Sequence, residues 1–223
     1  MSINFDNFNS VVSLFFHQSK SLNIRPYLWK KSNGKFISLS WTEVKENVEA
    51  LAKGLLSLGI LKGDRVIILS ENKPEWQIAD LAIMSIGAIS VPAYTTSTAN
   101  DYKHIINHSE ARCLIVSSHD LISKALPAIL ESSKCQNVIK IDEDSKKYNE
   151  PINIISWTTL IEDNKNLNWE AIENEDYQNT NLKQISATHK RTDTACIIYT
   201  SGTGGSPKGV MLSHGAMLAN CSG

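Results

Sequence analysis

No charge of one sign dominates this chain. Its 22 lysines and arginines stand against 23 aspartates and glutamates, interspersed, for a net charge of -1. That balance excludes a broad basic surface for nucleic acid and an acidic solvating tail. Cysteine is scarce too. Cys113, Cys135, Cys196 and Cys221 are widely spaced and form no C-x-x-C pair, and Cys113 and Cys196 fall inside expected strands. They read as reduced packing residues of a cytosolic protein. Long apolar runs are missing: Val11–Phe16 is too short to span a bilayer, follows Asp6 rather than a basic region and has no cleavage site behind it. Neither secretion nor a membrane span is supported. Peripheral contact with a membrane through a loop is left open.

What is present is ordinary globular material. At 223 residues and 42% apolar content, the chain can bury a substantial core. Tyr27–Lys31 and Phe36–Ser40 flank Asn33-Gly34, a strong hairpin signal. Val44, Val48, Leu51, Leu55 and Leu58 recur at helical spacing, with Ser40 and Glu43 placed as a capping box and Gly59 as a stop. Strands are then expected at 66–69, 89–94, 112–116 and 138–141, and helices at 74–86, 101–108 and 120–130. Strand and helix alternate with short joints, which points to an α/β fold: a largely parallel sheet with helices on both faces, preceded by a β-hairpin. Residues 142–193 are rich in Asn, Lys, Asp and Glu and read as a polar connector without repeat or low-complexity tract, anchored by Ile152–Ile155 and Trp157–Ile161.

The most informative stretch is Tyr199–Gly209, in which Gly202, Gly204, Gly205 and Gly209 alternate with Thr200, Ser201 and Thr203, followed by Pro207 and Lys208. Glycines let backbone N–H groups approach an anion, hydroxyls donate further hydrogen bonds, and a lysine supplies compact positive charge. The Walker pattern does not fit, because Lys208 follows Pro207 and precedes Gly209. The dinucleotide fingerprint, read from Gly202, would need glycine where Pro207 stands and a helix where the strand-like Val210–Leu212 follows. A Gly/Ser linker or a simple turn is the bland explanation. The ordered spacing between the apolar runs 194–199 and 210–212 argues against it.

Taken together, Tyr199–His214 resembles the signature loop of the adenylate-forming superfamily, which includes acyl-CoA synthetases, luciferases and peptide-synthetase adenylation domains. Thr200, Ser201, Gly202, Thr203, Gly205, Pro207 and Lys208 match that pattern position by position. Gly204 departs from it, since the family most often carries a hydroxyl or acidic residue there. Upstream, Gly63-Asp64-Arg65-Val66, Asn72–Trp76, Gly87–Pro92 and Thr96–Arg112 resemble family landmarks in the same order, the last and Asn72–Trp76 being most like long-chain fatty acyl-CoA synthetases.

The resemblance implies a partial AMP-binding N-terminal domain over 1–223: hairpin and α/β layer at 1–141, connector at 142–193, and strand, phosphate loop, strand and helix start at 194–223. It implies ATP, Mg2+ and coenzyme A for the complete enzyme and a fatty acid or other carboxylate as substrate, while the cytoplasmic location expected here rests on the cysteines. Thr200, Ser201, Gly202, Thr203, Gly204, Gly205 and Lys208 become the ATP phosphate-binding residues. His214 becomes a candidate for the acyl-adenylate vicinity, with packing as its other reading. The later parts of the family's machinery find no match in these residues, so no catalytic residue is assigned, and activity is expected to need the missing domain, supplied for instance by a separate chain. The alternative is a non-catalytic α/β remnant or a nucleotide- or protein-binding module.

Three smaller patterns carry bland explanations. His104 and His108 stand at i and i+4, but no Glu lies beside His104 and no third ligand follows, so a solvated helix face or cap is favoured over metal. Trp76 opens an apolar helix and reads as core. Ser213-His214, as neighbours on one strand, should point to opposite faces and form no dyad.

Overall fold

The computed structural model describes residues 3–143, 152–169, 181–200 and 207–221. A short 3-10 turn at Phe5–Asn7 precedes helix α1, Val11–Leu22. The hairpin follows as β1, Pro26–Ser32, and β2, Lys35–Ser40. Its turn holds Asn33 at φ 49° and Gly34 at φ 77°. Two successive positive φ angles are what a two-residue turn needs to match the strand twist, and Asn-Gly tolerates them best. Helix α2, Trp41–Ser57, starts on the expected capping box: the Ser40 hydroxyl accepts from the Glu43 amide, and the Glu43 carboxylate accepts from the Ser40 amide at 2.7 Å.

The α/β layer then runs β3 (Arg65–Leu69), α3 (Pro74–Ser85), β4 (Ile89–Ala93), α4 (Ala99–Ser109), β5 (Cys113–Val116), α5 (His119–Glu131) and β6 (Asn137–Lys140). Beyond it come β7 (Asn153–Ser156), α6 (Trp157–Lys165), α7 (Leu182–Ala187), β8 (Thr194–Thr200), β9 (Lys208–Ser213) and α8 (His214–Asn220). Among the described residues, seven strands form one sheet in the order β7-β6-β5-β3-β4-β8-β9. All neighbours are parallel except β8 and β9.

Each face of the sheet has its own core. One gathers α1, α2, α3, α6 and α7 over Val66, Ile68, Ile115 and Ile139; the other gathers α4 and α5 over Ile67, Leu69, Leu114, Val116 and Val138. Successive side chains of a strand point to opposite faces, so continuous apolar runs such as Val66–Leu69 serve both cores at once. Trp76 packs against the first core, partly buried.

Two stretches differ from the sequence reading. Helix α1 was not expected, because Ser19 interrupts its buried face beside Val12 and Phe15. Tertiary contact supplies what periodicity lacks: Phe15 meets Trp41 at 5.9 Å between ring centroids, and Trp41 stacks on Tyr27 at 3.7 Å. In the connector, Asn153–Ser156 pairs in parallel with β6 as an edge strand, and α6 packs on α2. Lys53, buried on α2, donates from Nζ to the Leu167 carbonyl at 2.8 Å and ties down the chain beyond α6. Part of the polar stretch therefore extends the α/β layer.

Candidate phosphate-binding site

Strand β8 runs out to the carboxyl edge of the parallel strands, and β9 returns antiparallel beside it. Their ladder pairs Thr200 with Lys208 at the open end, Tyr199 with Gly209 next, and Thr194 with Ser213 at the far end. The strand–loop–strand arrangement expected of 194–212 is thus present, and a strand, not a helix, follows the glycine run. Thr200 and Lys208 are both exposed and stand opposite each other. Ser201, Gly202, Thr203, Gly204 and Gly205 lie outside the described residues, so their assignment rests on the sequence.

The chain immediately around these ends is tightly specified. Tyr199 is buried in the α4–α5 core, and burial pushes its phenol above the usual range, with the Ser109 hydroxyl and the Arg65 guanidinium acting the other way. Gly209 lies against it: a Cβ at Gly209 would stand 2.8 Å from Ile197 Cγ2 and 3.3 Å from Tyr199 Cζ. A larger residue would have to push the Ile197 side chain aside and press on the tyrosine ring.

Helix α4 reaches the same place. His104 Nε2 lies 2.7 Å from the Pro207 carbonyl oxygen, and His108 Nδ1 lies 2.7 Å from the Tyr199 hydroxyl. The two imidazoles stack at 5.2 Å and present themselves edge-on to the Tyr199 ring. His108 is exposed and His104 half-buried, so the expected solvated face is present, and because residues four apart share one side of a helix, that face also reaches β8 and the start of β9. The i, i+4 spacing was the available signal, but nothing local in the sequence says which strand it faces.

His214 is elsewhere. It opens α8 directly after Ser213, whose Oγ caps the helix by accepting from the Ala216 amide at 3.2 Å. Ser213 pairs with Thr194, so His214 sits at the opposite end of the β8–β9 ladder from Lys208. The structure gives His214 a packed position, the other reading the sequence allows, and Ser213 and His214 are split between strand and helix rather than sharing one strand. His214 is 2% exposed and stacks on the equally buried His189 at 5.6 Å, with an interplanar angle of 7°. Burial depresses both imidazoles, His189 to about 4, with the neighbouring His214 and Lys62 adding to the effect on His189.

The carboxyl edge also carries a cleft of about 760 Å3 between the hairpin and the ends of β3 and β6. Its charges are largely paired, Lys73 with Asp142 at 2.6 Å and Lys30 with Glu75 at 3.6 Å. At the neighbouring β3–β5 switch point Ser117 donates to Glu71 and holds that carboxyl low. Among the described residues no group of three or more His, Cys, Asp or Glu gathers to hold a metal ion, and no helix is long and apolar enough to cross a membrane.

Residues 17–223 match a family described as AMP-binding enzyme. Among curated proteins, the chain is similar to long-chain-fatty-acid-CoA ligase ACSBG2 of Homo sapiens, 31% identical over 90% of this chain and 28% of that protein. Long-chain-fatty-acid-CoA ligase FadD15 of Mycobacterium tuberculosis is 30% identical over 86% of this chain and 29% of its own length. The chain therefore spans under a third of the curated relatives it matches. Among solved structures, the adenylation domain of a carboxylate reductase from Mycobacterium chelonae superposes with a TM-score of 0.74 at 19% identity, covering 94% of this chain and 35% of that one. An anthranilate CoA ligase in complex with anthranoyl-AMP gives 0.71 at 20%, over 95% and 36%. A sheet that delivers a glycine- and hydroxyl-rich loop between β8 and β9, matched from residue 17 onward, places this chain in the AMP-binding enzyme family.

Proposed function

We propose that this chain is the N-terminal part of an ATP-dependent, AMP-forming fatty acid-CoA ligase, and that its loop from Thr200 to Lys208 binds the β- and γ-phosphates of ATP. In that reaction a carboxylate oxygen attacks the α-phosphorus, the bond to the bridging oxygen breaks, and pyrophosphate leaves. The thiol of coenzyme A then attacks the acyl carbon and releases AMP. The chemical difficulty is negative charge gathering on the leaving pyrophosphate, which donors already in place relieve best. Thr200, Ser201 and Thr203 donate hydroxyls, Gly202, Gly204 and Gly205 admit backbone N–H groups, and Lys208 offsets charge. Magnesium enters only as the companion of the nucleotide phosphates.

The observation that carries this reading is the β8–β9 ladder, which sets Lys208 opposite Thr200 at the carboxyl edge of the sheet. Ligands of open α/β sheets gather at that edge. The fatty acid as substrate rests on the ligases to which the chain is similar. These 223 residues are expected to bind phosphate without completing the reaction. ATP-pyrophosphate exchange with a series of fatty acids tests this: no exchange is expected, and exchange that disappears in Lys208→Ala would show the chain to be active by itself.

A further inference from the structure

Both ends of the phosphate loop are held from outside the β8–β9 ladder, and by the same helix. We infer that His104 and His108 are positioning residues for this loop, fixing Pro207 on its exit side and Tyr199 on its entry side so that Thr200 and Lys208 keep their separation. This rests on the phosphate reading of the loop.

The chemistry is specific to the two nitrogens involved. A carbonyl oxygen only accepts, so the 2.7 Å contact to Pro207 requires His104 to carry its proton on Nε2. Pro207 has no N–H of its own, which leaves its carbonyl as the one backbone group there that a side chain can grip. At His108, Nδ1 bonds to the Tyr199 hydroxyl at 2.7 Å, and the Tyr199 ring is in turn pressed against Gly209. Glycine at 209, tyrosine at 199 and the histidine pair on α4 therefore form one assembly. One nitrogen of each imidazole is turned to the strands that carry the loop. Helix α4 is itself fixed by Tyr102, Ile105 and Ile106 in the core and by a capping box between Thr98 and Asp101, so the imidazoles project from a rigid base.

Conservative replacements separate positioning from packing. Gln places an amide nitrogen as many bonds from Cβ as His Nε2, and Asn does the same for His Nδ1. Amide hydrogen exchange of the 223-residue chain, compared across His104→Ala, His104→Gln, His108→Ala and His108→Asn, reads the anchoring directly. Loss of one anchoring hydrogen bond is expected to raise exchange at Tyr199, Thr200, Lys208 and Gly209 by about tenfold in the alanine variants. The Gln and Asn variants should restore most of the protection, with β3 unchanged throughout. Long-range proton–nitrogen spectra should show His104 protonated on Nε2.

Titration with inorganic pyrophosphate gives the second readout, with weaker binding expected in the alanine variants and recovery in the conservative ones. Unchanged exchange and affinity in the alanine variants, with wild type binding pyrophosphate, overturn the positioning role and leave the phosphate reading standing. A wild-type chain that does not bind pyrophosphate overturns the phosphate reading. The exchange rates then judge the anchoring alone: a rise confined to the loop ends supports it, and none overturns it. Global loosening that includes β3 and resists rescue also overturns it, as packing would explain that result.

Discussion

The ring of Tyr199 lies against the bare backbone of Gly209, so closely that a single added methyl group would stand 2.8 Å from Ile197 Cγ2 and 3.3 Å from Tyr199 Cζ. Gly209→Ala is therefore expected to destabilise the protein by about 1–3 kcal/mol through overpacking. Urea unfolding measures this. Pairing Gly209→Ala with Ile197→Ala should recover part of the loss, since the tighter of the two contacts then disappears.

Asp80 is almost fully buried on α3, and burial raises its carboxyl to about 6, with the Ser90 hydroxyl limiting the rise. The folded chain thus binds the extra proton between the ordinary value of 3.8 and about 6. Stability at this site is full below pH 3.8 and is lost as pH rises through the folded value. Asp80→Asn removes that loss, and above pH 7 it is expected to stabilise the fold by up to about 3 kcal/mol, the equivalent of a two-unit shift. A pH series of unfolding free energies that shows no gain for Asp80→Asn above pH 7 would contradict the assignment.

His189 has the opposite sign. Both its ring nitrogens are buried without a hydrogen-bond partner, and its imidazole is depressed to about 4 from an ordinary 6.5. Between those values the unfolded chain binds more protons, so stability rises with pH, is complete above 6.5 and is lost as pH falls toward 4. The loss should approach about 3 kcal/mol. Asp80 tilts stability the other way over an overlapping range, so only the difference between wild type and His189→Gln isolates the histidine. That difference should shrink as pH falls.

Much of the fold could be read from the chain because its signals are local. Asn33-Gly34, the Ser40–Glu43 capping box and the continuous apolar strands 66–69 and 138–141 each declare themselves within a few residues. Helix α1 and strand β7 could not be read this way. Ser19 on the buried side of α1 is tolerated because its hydroxyl donates to the Phe16 carbonyl at 2.9 Å while Phe15 packs into the aromatic cluster with Tyr27 and Trp41, and β7 is a short, half-exposed edge strand. At the site, the composition of 199–209 is what pointed to phosphate chemistry, whereas the surroundings of Gly209, His104 and His108 depend on which elements meet in space. His214 entered only through the family resemblance, and six residues of returning strand carry the chain from Lys208 to the far end of the β8–β9 ladder, where His214 packs against His189.

The central claim is that Thr200–Lys208 binds the phosphates of ATP, and calorimetric titration of the 223-residue chain with MgATP tests it most directly. Loss of a charge-assisted contact at Lys208 is expected to weaken binding by about tenfold or more in Lys208→Ala, while His214→Gln leaves affinity within about twofold, as a histidine at the far end of the ladder should. Equal affinity in wild type and Lys208→Ala would contradict it.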